Sequence, residues 1–153
     1  GEYRTVQGDA ATWVDDEPFD IIVSTFAHDH IHYDLGTKLA SNIYKNLKPG
    51  GHYFMGGEIL PLYTTEEERK DALDTYHGFI VSKSLREGNY RLAQIEINAL
   101  ESGVGMVGDF KRHEALFEQE MTAGDLRLSD KSKMGPVDRD DVGGVYVYAY
   151  TRP

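Results

Sequence analysis

Residues 19–34 read Phe19-Asp-Ile-Ile-Val-Ser-Thr-Phe-Ala-His-Asp-His-Ile-His-Tyr-Asp34: an apolar, β-branched run that passes directly into three histidines and two aspartates. The uninterrupted centre Ile21-Ile22-Val23 is what a strand covered on both faces requires, so Phe19–Thr25 is predicted as a central parallel strand. The histidine-rich stretch is then the loop leaving its carboxyl end.

Downstream, Leu35, Leu39, Ile43 and Leu47 recur every four positions with Lys38, Asn42 and Lys45 between them, which is the pattern of an amphipathic helix. Lys48-Pro-Gly-Gly51 should stop it, and His52-Tyr-Phe-Met55 is a second buried strand ending in Gly56-Gly57-Glu58. Strand, helix and strand make a βαβ unit with a parallel pair. Upstream, Tyr3–Gln7 reads as a short strand running into the turn Gly8-Asp9-Ala10, with Asp15–Pro18 as a surface break. After Pro61 the pattern is helical. Thr65-Glu-Glu-Glu68 has the form of a capping box opening a helix to about Leu85, a second helix spans Tyr90 to Leu100, and a third runs from Lys111 to about Ala123. Two strands close the chain, Leu126 to Lys133 and Gly144 to Tyr150, and their short connection predicts an antiparallel pair. Tyr146, Tyr148 and Tyr150 share one face of the last strand, placed for packing.

The 153 residues are about one domain in length, and 40% hydrophobic content suffices for a core. A net charge of −10 opposes binding to nucleic acid or to an anionic membrane surface. Cysteine is absent, which removes thiolate chemistry and fits a reducing compartment, and no apolar run reaches membrane-spanning length. The expectation is a cytoplasmic protein.

In order and spacing, "VQGDA", "FDIIVSTFAHDHI", "ASNIYKNLKPGGHYFMGGEIL" and "GVYVYAY" resemble the class I S-adenosylmethionine-dependent methyltransferases over nearly the whole chain. The resemblance implies an α/β fold with a Rossmann-like methyltransferase sheet, parallel strands followed by an antiparallel C-terminal pair, and helices inserted after the fifth strand. It implies S-adenosyl-L-methionine as cofactor. Asp9 and Ala10 match the position facing the adenine, and Ser24, Thr25 and Phe26 match the strand end where the methionine portion passes. The glycine-rich loop after the family's first strand and the ribose-binding acid after its second have no counterpart here. The sheet is therefore expected to be incomplete at the N-terminus, with residues 1–153 as the C-terminal portion of one methyltransferase domain and 62–110 as a helical insertion over the acceptor pocket. An edge left open by missing strands could pair two copies into a homodimer.

A metal site in the histidine loop has some geometric basis, because three alternate residues of a strand share a face. No outlying ligand is identifiable, however, and none is expected. An acid/base role fits better, since histidine titrates near neutral pH and a hydroxyl or amine acceptor must lose a proton. By resemblance His30 is the first candidate, with His28 and Asp29 behind it. Glu58, at the carboxyl end of the second strand, and His77 and His113, on the added helices, are the candidate acceptor-binding residues. The expected reaction is methyl transfer to a small-molecule acceptor. The competing readings are a non-catalytic methyltransferase-like remnant or interaction module, and a nicotinamide-dependent oxidoreductase.

Overall fold

In the computed structural model, which describes residues 3–153, β1 (Phe19–Thr25) lies parallel to β2 (Leu47–Ile59). The helix α1 (Gly36–Asn46) forms the crossover between them. The last strand, β4 (Gly144–Thr151), inserts antiparallel between β2 and β3 (Arg127–Gly135), giving the order β1-β2-β4-β3. The mixed sheet is open, as the incomplete Rossmann-like reading expected.

One face of the sheet carries the core. The period-two alternation of β2 buries Tyr53, Met55 and Ile59 on the side where Tyr148 and Tyr150 of β4 also lie. Leu39, Ala40 and Ile43 of α1 and Phe117 and Met121 of α4 (Glu114–Ala123) cover them. The tyrosine stripe is thus used for packing, with Phe117 edge-on to Tyr148 at 4.9 Å. The register aligns Ile21 with His52, Val23 with Phe54 and Phe54 with Ala149 on the opposite face. That face is uncovered at β1, where Ile21 is 57% and Val23 65% exposed. β1 was expected as a central strand buried on both sides. In this chain it is an edge strand, and its doubly apolar composition goes unmatched by burial.

The helix α4 seats on α1 by close backbone approach. A Cβ at Gly124, its C-cap, would lie 2.4 Å from Ala40 Cβ and 2.7 Å from Ser41 N, atoms fixed in α1. Gly124→Ala is therefore expected to cost about 1–3 kcal/mol through overpacking, read as a lowered urea midpoint with unchanged slope.

Two long helices, α2 (Glu66–Arg86) and α3 (Tyr90–Val104), pack on each other and form a second small core of Leu60, Ala72, Leu73 and Tyr76. The capping box at Thr65 is present: Glu68 N–H donates to Thr65 Oγ1, and the Glu68 carboxylate accepts from the Thr65 and Thr64 amides. Thr65→Ala should lower stability by about 1 kcal/mol, measurable as a drop in Tm. No helix among the described residues is long and apolar enough to cross a membrane.

Several expected boundaries differ, α3 for one running on to Val104 past its expected end at Leu100. Tyr3–Gln7 carries no strand, because no neighbouring strand offers it a ladder. The segment after it is instead tied to α1, with Asn42 Nδ2 donating to the carbonyls of Ala10 (2.8 Å) and Trp13 (2.6 Å). Lys48–Gly51 is not a turn ahead of the second strand but a bulge inside β2, between the Phe19–Leu47 and Ile21–His52 pairs. Finally, α4 starts at Glu114 rather than Lys111, because Phe110, Lys111 and Arg112 are buried in non-helical chain that serves the site described next.

Candidate active site

Parallel pairing brings the carboxyl ends of β1 and β2 side by side, and the chain leaving β1 turns sharply there. Phe26 adopts φ 48°, a conformation costly for a bulky residue, while its N–H donates to the Gly56 carbonyl at 2.8 Å. A 3₁₀ turn, His28–His30, follows, with His28 and Asp29 facing inward. On the β1 side an apolar groove of about 400 Å³ runs past Ala10, Trp13, Ser24, Thr25, Ala27 and His28.

His28 is buried edge-on against Phe117 at 4.7 Å, and its Nε2 lies 3.1 Å from Glu120 Oε2. Only a donor suits a carboxylate, so Nε2 carries the proton and Nδ1 is the acceptor. Nδ1 has no partner among the described residues. Burial holds the imidazole below its ordinary pKa, with Arg112 adding to the effect and Glu120 and Asp29 opposing it. The free ring is thus neutral with an open lone pair, which is the state of a proton acceptor.

Arg112 organises this corner. Its Nε donates to both Glu120 oxygens at 3.1 Å, and Nη1 donates to the carbonyls of Ile31 (2.5 Å), Phe110 (2.7 Å) and His28 (3.3 Å). Glu120 fits because Gly36 has no side chain: a Cβ there would lie 2.1 Å from the Glu120 carboxyl carbon. Beside it, Lys111 Nζ pairs with Asp109 and lies 3.3 Å from Glu58 Oε2, while Tyr76 OH donates to Glu58 Oε1 at 2.7 Å. Burial pulls Lys111 down, but Glu58 and Asp109 together outweigh it, so the ammonium is held above its ordinary value. Burial and the neighbouring Glu58 raise the Tyr76 phenol.

The other expected residues fall as follows. His30 is largely exposed, its Nδ1 donating to the Gly108 carbonyl at 2.6 Å, and His32 Nδ1 accepts from the Asp34 amide at 3.2 Å. The three histidines diverge, and among the described residues no three metal-ligating side chains converge. Asp9 is exposed and accepts from the Ala11 amide at 2.9 Å, closing its own turn. Ala10, Ser24 and Thr25 line the groove, and Phe26 is half exposed beside it. Glu58 joins the Lys111 cluster. His77 is fully buried with Nδ1 2.8 Å from Glu96, and His113 caps α4 by accepting from the Leu116 amide. Sequence reasoning passed over Lys111, Arg112 and Glu120. One signal was available: Glu120 falls on the apolar stripe of Phe117 and Met121, where a carboxylate needs a buried partner.

His28 sets a pH dependence. Its folded pKa lies below the unfolded value near 6.5, so its contribution to stability is full above that value and is lost as pH falls toward the depressed one. Half-buried His113, also lowered by burial, acts in the same direction. Unfolding free energy should therefore fall between about pH 7 and 5, and His28→Gln should flatten that fall without abolishing it, as read by urea titrations at each pH.

No protein-family model and no curated protein sequence matches the chain. Solved structures do. A S-adenosylmethionine-dependent methyltransferase from Clostridium acetobutylicum superposes with a TM-score of 0.63 at 10% identity, over 98% of this chain and 65% of its own. The N-methyltransferase NodS from Bradyrhizobium japonicum gives 0.52 at 14%, over 95% and 57%. Phosphoethanolamine N-methyltransferase 2 from Haemonchus contortus, in complex with S-adenosyl-L-methionine, gives 0.55 at 16%, over 95% and 36%. The chain has the class I S-adenosylmethionine-dependent methyltransferase fold. It spans about a third to two thirds of the length of these three methyltransferases. Within the methyltransferase fold, the open edge of β1 and the groove beside it lie on the side away from the antiparallel pair.

Proposed function

We propose that this chain is the C-terminal portion of a methyltransferase domain that moves the methyl group of S-adenosyl-L-methionine to a small-molecule acceptor in the cytoplasm. The observation that carries the reading is the meeting of a ligand-sized groove and a buried, neutral His28 with a free Nδ1 at the carboxyl ends of two parallel strands. The residues present fit one side of the cofactor. Asp9 offers an exposed carboxylate toward an adenine amino group, Ala10 lines the wall beside it, and the turn from Ser24 to Phe26 presents backbone to the methionine portion. When bound, the cofactor supplies an electrophilic methyl on a sulfonium. The chain supplies position and proton handling: His28 Nδ1 accepts the acceptor's proton, Glu120 steadies the resulting imidazolium, and Arg112 holds Glu120. Glu58 and Asp29 face the acceptor side, the α2–α3 hairpin covers it, and His77 and His113 support the walls through Glu96 and the α4 cap.

Titration calorimetry with S-adenosyl-L-methionine tests the reading on this chain and on the longest open reading frame containing it. One-site binding by the longer form is expected, with weaker binding or none by this chain. Absence of binding by both would overturn the proposal in favour of a non-catalytic module.

A further inference from the structure

The acceptor side of the site is closed in this structure. The space between Asp29 and Glu58 is walled largely by Met55, Ile59 and Phe117 and measures about 10 Å³, roughly room for one water. No acceptor enters there unless a covering element moves. Two groups sit on Glu58. Lys111 is one, and it is fixed: Tyr33 and Tyr63 both donate to its carbonyl, at 2.9 and 3.0 Å, and the neighbouring Phe110 N–H donates to the Asp29 carbonyl at 2.6 Å. Tyr76 of α2 is the other, and its helix is held differently.

The helices α2 and α3 make their only broad contact with each other. On α2, Arg69, Leu73 and His77 recur every four residues on the side of α3: Arg69 donates to the Gly103 carbonyl at 2.8 Å, Leu73 packs on Gly103, and His77 lies 2.8 Å from Glu96. Ala72 and Tyr76, also four apart, form the face turned to the sheet. Contact there is narrow. Leu60 and Tyr63 pack against it, and Tyr76 OH donates to Glu58 Oε1 at 2.7 Å.

Both connections to the hairpin are jointed. Val107 N–H donates to the Ser102 carbonyl at 2.9 Å and so belongs to α3, whereas Phe110 is bonded to the loop after β1. Between them lies exposed Gly108, with φ 71° and a carbonyl that accepts from His30 Nδ1 at 2.6 Å. On the entering side Leu60 N–H donates to the Arg112 carbonyl at 2.9 Å, and the Thr65 cap belongs to α2. Residues 61–64 span the gap.

We propose that α2 and α3 form a lid that swings as one body about Gly108 and residues 61–64, latched shut by Tyr76 on Glu58 and by His30 on the Gly108 carbonyl. The purpose of the motion rests on the methyl-transfer reading: opening admits the acceptor, and closure keeps water from the reacting groups. The exposed His30 then serves the hinge rather than the chemistry.

The chain contains no cysteine, so Ala72→Cys places a single thiol on the buried face of the lid. Its labelling by a thiol reagent is followed at urea concentrations below the unfolding transition. A swing exposes little new surface, so the rate should be nearly independent of urea. It should rise about tenfold with Tyr76→Phe and about threefold with His30→Ala, the slope unchanged, as expected for losing one hydrogen bond each. His30 is exposed, so its variant keeps the test decisive should Tyr76→Phe fold poorly. Labelling that climbs with urea would mean that the hairpin melts or the whole chain unfolds, and would overturn the lid. A rate that either folded variant leaves unchanged would remove that latch and the proposal with it. Neither methyl donor nor acceptor is present, so this outcome is independent of the S-adenosyl-L-methionine titration.

Discussion

Replacing Arg112 by methionine is expected to cost about 3–5 kcal/mol of stability, because it leaves a buried carboxylate without its counter-charge. Glu120 would keep only His28, whose own ring favours neutrality at that depth, and the carbonyls of Ile31 and Phe110 would lose their shared donor. A loss of that size is a large share of a typical domain's total of about 5–15 kcal/mol, so the variant should be largely unfolded near 37 °C. Urea denaturation followed by circular dichroism measures it. Adding Glu120→Gln to Arg112→Met should recover part of the loss, since the stranded charge goes with its partner. Strict additivity of the two single changes would mean that they do not form the unit described here.

The largest effect on activity is expected at His28. In a methyl-transfer-competent form of the protein, His28→Ala should lower kcat by about 10²–10⁴, the usual range for removing a positioned general base. Glu120→Gln should give a smaller loss together with a shifted pH–rate profile, because Glu120 touches the His28 ring and, in the proposed mechanism, acts through it rather than on substrate. Release of S-adenosylhomocysteine is the readout. A His28→Ala enzyme that turns over normally, with His30→Ala inactive, would move the base to the exposed histidine.

The parts of the fold legible in the sequence are those decided by local pattern. The β-branched run at Phe19–Thr25, the four-residue period through Leu39 and Ile43, the capping box at Thr65 and the alternation in Gly144–Thr151 each became the expected element. What local pattern could not express was the environment of those elements. β1 is composed for burial on both faces, yet one face is exposed and Ile22 on the other is only half-buried, while Tyr3–Gln7 has strand-like residues without a strand beside it.

The site divides in the same way. His28 and Asp29 stood out because they belong to one dense cluster and were ranked behind His30 by resemblance; which of the three a 3₁₀ turn would bury was not written in the local pattern. Arg112 and Glu120 lie more than eighty residues from His28 in sequence, and their importance comes from a meeting that the chain order conceals. Lys111-Arg112-His113 reads as an ordinary charged helix start. Burial made it three different things: an ion-pair centre, the anchor of the loop after β1, and a cap.

The insertion of β4 between β2 and β3 has a consequence for synthesis. β3 is made before β4, yet among the described residues its only partner in the sheet is β4, so it emerges from a ribosome with neither edge satisfied. Tyr148 and Tyr150, which close the core over Phe117, arrive in the same last strand. The earlier elements can collapse as they appear, but the sheet cannot lock until residues 144–151 have cleared the exit tunnel. Closure of the sheet thus waits on synthesis of β4, and a nascent chain stalled before β4 would present β3 and an uncapped aromatic core to chaperones.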